Sequence, residues 1–343
     1  MKRLLIGLAL AVMGLFVTVG LASADAGPHG NYSATTDACA GCHRAHTGQA
    51  AKLLKISANS LCLSCHDGTG SNLDVFDGAL LSATIGSRAT GGNPTGITGA
   101  LRGGGIVFAR LSANNTTTPG IALANTVAGV PVTSAHIKGI SLNGLTAQNT
   151  IWGGGAIGSG AGTSFSLACQ DCHNPHGGGT YRILRPIPNG SGTATGVTLT
   201  DETTKTYVTP NYWNTYNVGA TGTFPAPWTA GQLSSWCATC HTRYLADARA
   251  GGTASGDPLF SYRHLSDGTS AITARTGSPY QGTIYTPFCL QCHVSHGSNA
   301  QMVGTFSQGV AWPGGAARGN ESSLLKIDSR GTCVACHGTF RGG

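Results

Sequence analysis

Cys169-Gln170-Asp171-Cys172-His173-Asn174-Pro175-His176 decides how the rest of this 343-residue chain is read. Cys169 and Cys172 are three residues apart and His173 follows, so one helical turn would point all three to the same side. That arrangement suits the attachment of a haem. Two thiols add to the two vinyl groups as thioethers, and the adjacent imidazole coordinates the iron from one face. His176 is too close in sequence to pass around the porphyrin to the other face of the same iron. Three residues of chain span at most about 10 Å, so as a ligand it would serve a second haem nearly in contact with the first.

The pattern recurs. Cys39, Cys42, His43 and His46 repeat the doubled form, as do Cys289, Cys292, His293 and His296. Three further motifs lack the close second histidine: Cys62, Cys65, His66; Cys237, Cys240, His241; and Cys333, Cys336, His337. The six motifs use all 12 cysteines, leaving none for a disulfide or a nucleophile. An isolated C-x-x-C would suggest a zinc ribbon or a redox dithiol. Here a histidine follows every pair, which haem iron requires and those alternatives do not explain.

The chain has 12 histidines, so six remain outside the motifs: His29, His46, His136, His176, His264 and His296. One precedes the first motif and each of the five gaps between motifs holds one, so the spare imidazoles match six sixth-coordination positions. Met302 is the one methionine beyond the leader that could compete. The expectation is six bis-histidine, low-spin haems with no open site. Axial methionine raises the potential relative to this arrangement, so a low-potential carrier follows. Spacing does not say which spare histidine serves which haem.

Residues 1–24 start with Lys2 and Arg3, continue through an apolar run from Leu4 to Leu21, and end in Ala22-Ser23-Ala24. This reads as a secretory signal with an A-x-A cleavage site, so the mature chain is expected to have no membrane span; a retained anchor is the alternative. Residues 25–343 then form one domain with only about 50 residues per haem. Glycine is frequent, 53 residues, and charged residues are only 10%, against about 25% in ordinary domains. The expected fold is a multihaem cytochrome c. It consists mostly of loops and short helical turns, with a few small β-hairpins wrapped around a stacked haem chain that supplies the core. Residues 67–168 read as a Gly/Thr-rich elaboration that returns His136 to the haems. Short strands are expected at Gly105–Leu111, Val130–Thr133, Gly196–Thr200 and Lys205–Thr209. Tyr212, Trp213, Tyr216, Phe224 and Trp228 form an aromatic cluster that would pack on porphyrin edges.

The formal charge of +7 falls to +5 without Lys2 and Arg3, and each haem brings two propionates. No basic run or stacking module is present, so nucleic-acid binding is not indicated.

The order CAGCHRAH, CLSCH, CQDCHNPHGG, SSWCATCHT, CLQCHVSH and CVACH resembles extracellular hexahaem cytochromes that polymerise into conductive filaments, the outer-surface cytochrome S type of metal-reducing bacteria. The likeness spans the motifs and their flanks, from Cys39 to His337 and including Trp236, but not the long segments between them. It implies closely spaced haems alternating between parallel and T-shaped pairs, in a head-to-tail homopolymer. In such filaments a histidine of the adjacent subunit completes one terminal haem; by motif order that role falls to His46, with His29 as the alternative. Donor and acceptor proteins or extracellular minerals would be the redox partners, and the location the cell surface or outside, with the periplasm as alternative. Two other classes stay open. A discrete periplasmic or secreted shuttle would use the same haems without polymerising. A multihaem reductase would need an open iron position, and with spare histidines equal to motifs the sequence predicts no enzyme.

Overall fold

The computed structural model describes residues 29, 36–71, 73–81, 97–101, 103–109, 130–137, 151–157, 162, 166–177, 180–188, 196–199, 227–247, 249, 252–256, 263–273, 275–276, 284–299 and 324–326. The leader, Met302, the 205–209 strand and the sixth motif lie outside them, as do Tyr212, Trp213, Tyr216, Phe224 and the side chain of Trp228.

Helices are short and sit at the motifs. They are α1 (Ala58–His66), α2 (Cys169–Cys172), α3 (Pro227–Cys237) and α4 (Cys289–Cys292), with a 3-10 turn at Thr36–Gly41 before the first motif's histidine. The doubled motifs depart from the expected single helical turn. His173 N–H still bonds to Cys169 O at 2.9 Å, but His173 itself is extended (φ −106°, ψ 143°), and so is His293. Pro175 restricts only Asn174 before it, and His293, followed by Val294-Ser295, is extended without any proline. In both motifs the helix stops at the second cysteine and the chain turns away carrying the second histidine.

The two four-residue helices are too short to satisfy their own first N–H groups, and an earlier helix does it for them. Asn59 Oδ1 of α1 accepts from Cys169 N–H at 3.0 Å, and Ser234 Oγ of α3 accepts from Cys289 N–H at 3.2 Å. Each helix with a single motif is thereby docked on the helix of the next doubled motif.

The strands are two to four residues long and antiparallel. β1 (Leu73–Asp74), β2 (Ala79–Leu81) and β3 (Ile97–Ala100) form one sheet in that order. β4 (Phe108–Ala109) pairs with β5 (Val130–Pro131), β6 (Ser134–Ala135) with β9 (Gly297–Ser298), and β7 (Ile272–Thr273) with β8 (Ile284–Tyr285). The expected strands at 105–111 and 130–133 are present in shortened form. Residues 196–199 are not a strand: Val197 N–H bonds to Pro186 O and Leu199 O accepts from Tyr181, which ties the segment to a turn rather than to a ladder.

Residues 67–168 are more than a surface addition. Ile106, Val107 and Ile137 form a buried cluster, and Ala109 packs with Val132. β6 joins β9, and Gly104 bridges Gly297, just past the fifth motif. A second core gathers Tyr181, Leu184, Leu199, Leu233 and Phe288 around α3, each worth about 1.5–3 kcal/mol of burial. Trp236, partly buried against it, donates from Nε1 to Arg185 O at 2.6 Å and so ties the fourth motif's helix to the segment after the third.

Candidate haem-binding sites

The structure sorts the histidines into pairs from distant parts of the chain. Ring centres lie 6.0 Å apart for His29 and His66, 6.1 Å for His43 and His176, 6.2 Å for His136 and His241, and 6.2 Å for His173 and His296. Two imidazoles bound through nitrogen at about 2 Å to opposite sides of one metal place their ring centres roughly 6 Å apart. Each pair joins one motif histidine to one spare histidine. His46, exposed, His264 and His293 are also described.

Hydrogen bonding sets which nitrogen of each ring can act. In four of the motif histidines, Nδ1 faces a backbone carbonyl: Lys52 O at 3.0 Å for His43, Leu73 O at 3.3 Å for His66, Arg182 O at 2.9 Å for His173 and Trp152 O at 2.5 Å for His241. Four of the spare histidines do the same, His29 to Pro175 O, His136 to Ser295 O, His264 to Leu265 O and His296 to Gly104 O. A carbonyl only accepts, so Nδ1 carries the proton and Nε2 is left as the basic atom. That is the tautomer a metal-bound imidazole needs, with its orientation fixed by the second hydrogen bond.

Burial keeps these rings neutral. Desolvation lowers the pKa of His66, His136 and His173, and takes His241 and His296 down to about 4, with a neighbouring histidine adding to the effect in the last two. The donor set fits an iron already held by four porphyrin nitrogens, for which protein supplies two opposed imidazoles. A zinc ribbon would gather more ligands at one point, and among the described residues no three His, Cys, Asp or Glu converge in that way.

The thiols follow the same order. Cys62 and Cys169 are hydrogen-bonded to each other, as are Cys237 and Cys289. Cys42 is close enough to Cys62 and Cys65, and Cys172 to Cys240, for their charges to raise its pKa, although burial contributes most in both. Once haem is attached, these sulfurs stand for thioethers, so motifs one to five would bring their haem edges together in sequence order.

A threefold internal repeat underlies this order, and motif reading alone does not find it. Each doubled motif folds against a later segment, 51–55 (AKLLK), 181–185 (YRILR) and, at the third site, 324–326 (LLK). The bridges are His43 to Leu54, His173 to Leu184 and His293 to Leu325. Lys55, Arg185 and Lys326 N–H bond back to Cys42, Cys172 and Cys292 O at 3.0, 2.8 and 3.0 Å. The signal was the recurring Leu/Ile-Leu-Lys/Arg, hidden at the third site by a longer spacing.

A family model described as the doubled CXXCH motif matches residues 29–71. The match indicates a multihaem c-type cytochrome that binds haem c covalently through its CXXCH motifs. No curated protein and no solved structure matches the chain.

Proposed function

We propose that this chain is a six-haem, bis-histidine electron carrier that polymerises head to tail into an extracellular conductive filament. Bound haem would supply one-electron ferric–ferrous chemistry; the motif cysteines would attach it, and the motif and spare histidines, largely shielded from water, would hold its iron. His43, His66, His173, His241, His293 and His337 are the proximal ligands in this reading, and His29, His46, His136, His176, His264 and His296 the distal ones. With every iron closed there is no substrate position, so we assign no enzymatic activity.

The observation that carries the polymer reading is the register of the histidine pairs. Taking the chain as three repeats, an isolated histidine pairs with the single motif of its own repeat, as in His29 with His66 and His136 with His241. The second histidine of a doubled motif pairs with the doubled motif one repeat earlier, as in His176 with His43 and His296 with His173. Continued inward, the first rule joins His264 to His337. Continued outward, the second rule joins His46 to the fifth motif of a preceding copy of the chain. Such a contact is heterologous and need not close, and an iron–imidazole bond across it would set its register.

The test is His46→Ala. Purified protein should keep six attached haems by intact mass yet give no filaments by electron microscopy under conditions where the unaltered protein does. Filaments persisting in that variant would refute the bridging role. Discrete particles from the unaltered protein at every pH and concentration would favour a shuttle with the same haem chain. Export fits either outcome, because thioether attachment takes place outside the inner membrane; no helix among the described residues is long and apolar enough to cross a membrane.

A further inference from the structure

The segments that fold over the doubled motifs contain an unexpected backbone. At 51–54 the central residues are both left-handed, Lys52 (φ 61°, ψ 30°) and Leu53 (φ 58°), and Leu54 N–H returns to Ala51 O at 3.4 Å. At 181–184 the central residues are Arg182 (φ 50°, ψ 31°) and Ile183 (φ 52°), with Leu184 N–H to Tyr181 O at 3.0 Å. Leu324 repeats the second of these positions (φ 60°). A tight turn with two left-handed residues ordinarily uses Asn-Gly or Gly-Gly. A branched side chain such as isoleucine there is an outlier, and such strain persists where the surroundings over-determine it, often at functional sites.

Part of the cause is already visible, since the first turn residue presents its carbonyl to the Nδ1 of the proximal histidine, Lys52 to His43 and Arg182 to His173. Glycine would present that carbonyl equally well. The side chain at the second position therefore needs its own explanation. It is leucine, isoleucine and leucine in the three repeats. Its carbonyl accepts from the residue directly after the proximal histidine, Arg44, Asn174 and Val294, at 2.8, 2.7 and 2.8 Å, which keeps it beside the ligand. Leu53 is 54% exposed in the protein chain alone, a poor place for a large apolar group unless something apolar covers it.

We propose that Leu53, Ile183 and Leu324 are haem-packing residues, each laying its side chain on the porphyrin attached at the doubled motif of its own repeat and keeping water from the proximal ligand. This rests on the haem reading of those motifs. An apolar shield controls solvent access and dielectric, and through them the potential. Removing it favours the ferric state.

The experiment is redox titration of the holoprotein carrying Leu53→Gly, Ile183→Gly and Leu324→Gly together. Half of the optical amplitude should move to lower potential, by about tenfold in the ferric-to-ferrous ratio, which is about 59 mV for one electron. Methionine at the same three positions should restore the original curve. Glycine relieves the backbone strain, so a purely conformational role predicts an unchanged titration and a more stable protein; that result would overturn the proposal. If the triple variant does not assemble, Leu53→Gly alone decides, through a shift or its absence in one-sixth of the amplitude. Intact mass separates this from the underlying reading: unaltered protein without covalent haem would strike the haem assignment, whereas six haems with an unmoved titration would strike the packing role only.

Discussion

Replacing His296 by alanine should alter a haem attached far away in sequence, at Cys169 and Cys172, and leave the nearby one at Cys289 and Cys292 closed. The reasoning is geometric. His296 lies 6.2 Å, ring centre to ring centre, from His173, and its Nδ1 is held by Gly104 O at 3.2 Å, so in the proposed register its remaining nitrogen would serve the iron that His173 binds. Truncation would open one of the six distal positions. The expected size is one-sixth of the iron converting from low to high spin, with an unchanged haem count by mass and a cost of about 1 kcal/mol from the lost Gly104 bond. Iron resonance spectra measure the spin fraction, and added imidazole, filling the vacated space, should return the signal to low spin. Location is settled by removing haems. Where Cys169 and Cys172 are both serine, His296→Ala should add no high-spin signal; where Cys289 and Cys292 are both serine, it should open one haem of the remaining five. The reverse dependence would refute the pairing register.

Acid should release the buried ligand His296 only well below neutral pH. Desolvation lowers the pKa of His296 from 6.5 to about 4, so the folded form binds protons less readily than the unfolded form. The stability this represents is present above about pH 6.5 and is lost as pH falls toward 4. The low-spin band assigned to His296 should therefore hold through neutral pH and decay only as pH falls toward 4; complete loss of that band above pH 6 would count against the buried ligand. Ser234→Ala leaves the partly buried Cys289 N–H without its acceptor, and should cost about 1 kcal/mol in denaturant unfolding. Gly105→Ala would force a methyl group into Phe108 O and against the Asp77 carbonyl carbon at 2.7 Å. It should destabilise the 67–168 segment by about 1–3 kcal/mol, and proteolysis there should accelerate while α1 resists.

The motifs and the short helices at them were legible because covalent attachment fixes local spacing. The fold class followed from composition, since too few apolar side chains remain per motif to build a core without cofactor. Pairing was not legible, because His43 meets His176 and His136 meets His241 through folding across more than 100 residues. The left-handed turns were hidden for a different reason. Lys52-Leu53 and Arg182-Ile183 carry none of the Gly or Asn that marks such a turn, so local propensity pointed away from the conformation that the proximal histidine selects. The expected strand at 196–200 failed because its polar groups are taken up by Pro186 and Tyr181.

The most direct test of the account is the intact mass of the purified mature chain, taken with the iron resonance spectrum of its assembled filaments in the oxidised state. The account predicts the polypeptide plus six covalent haems and a wholly low-spin spectrum. Fewer than six haems, or a high-spin component in the unaltered filaments, would contradict it.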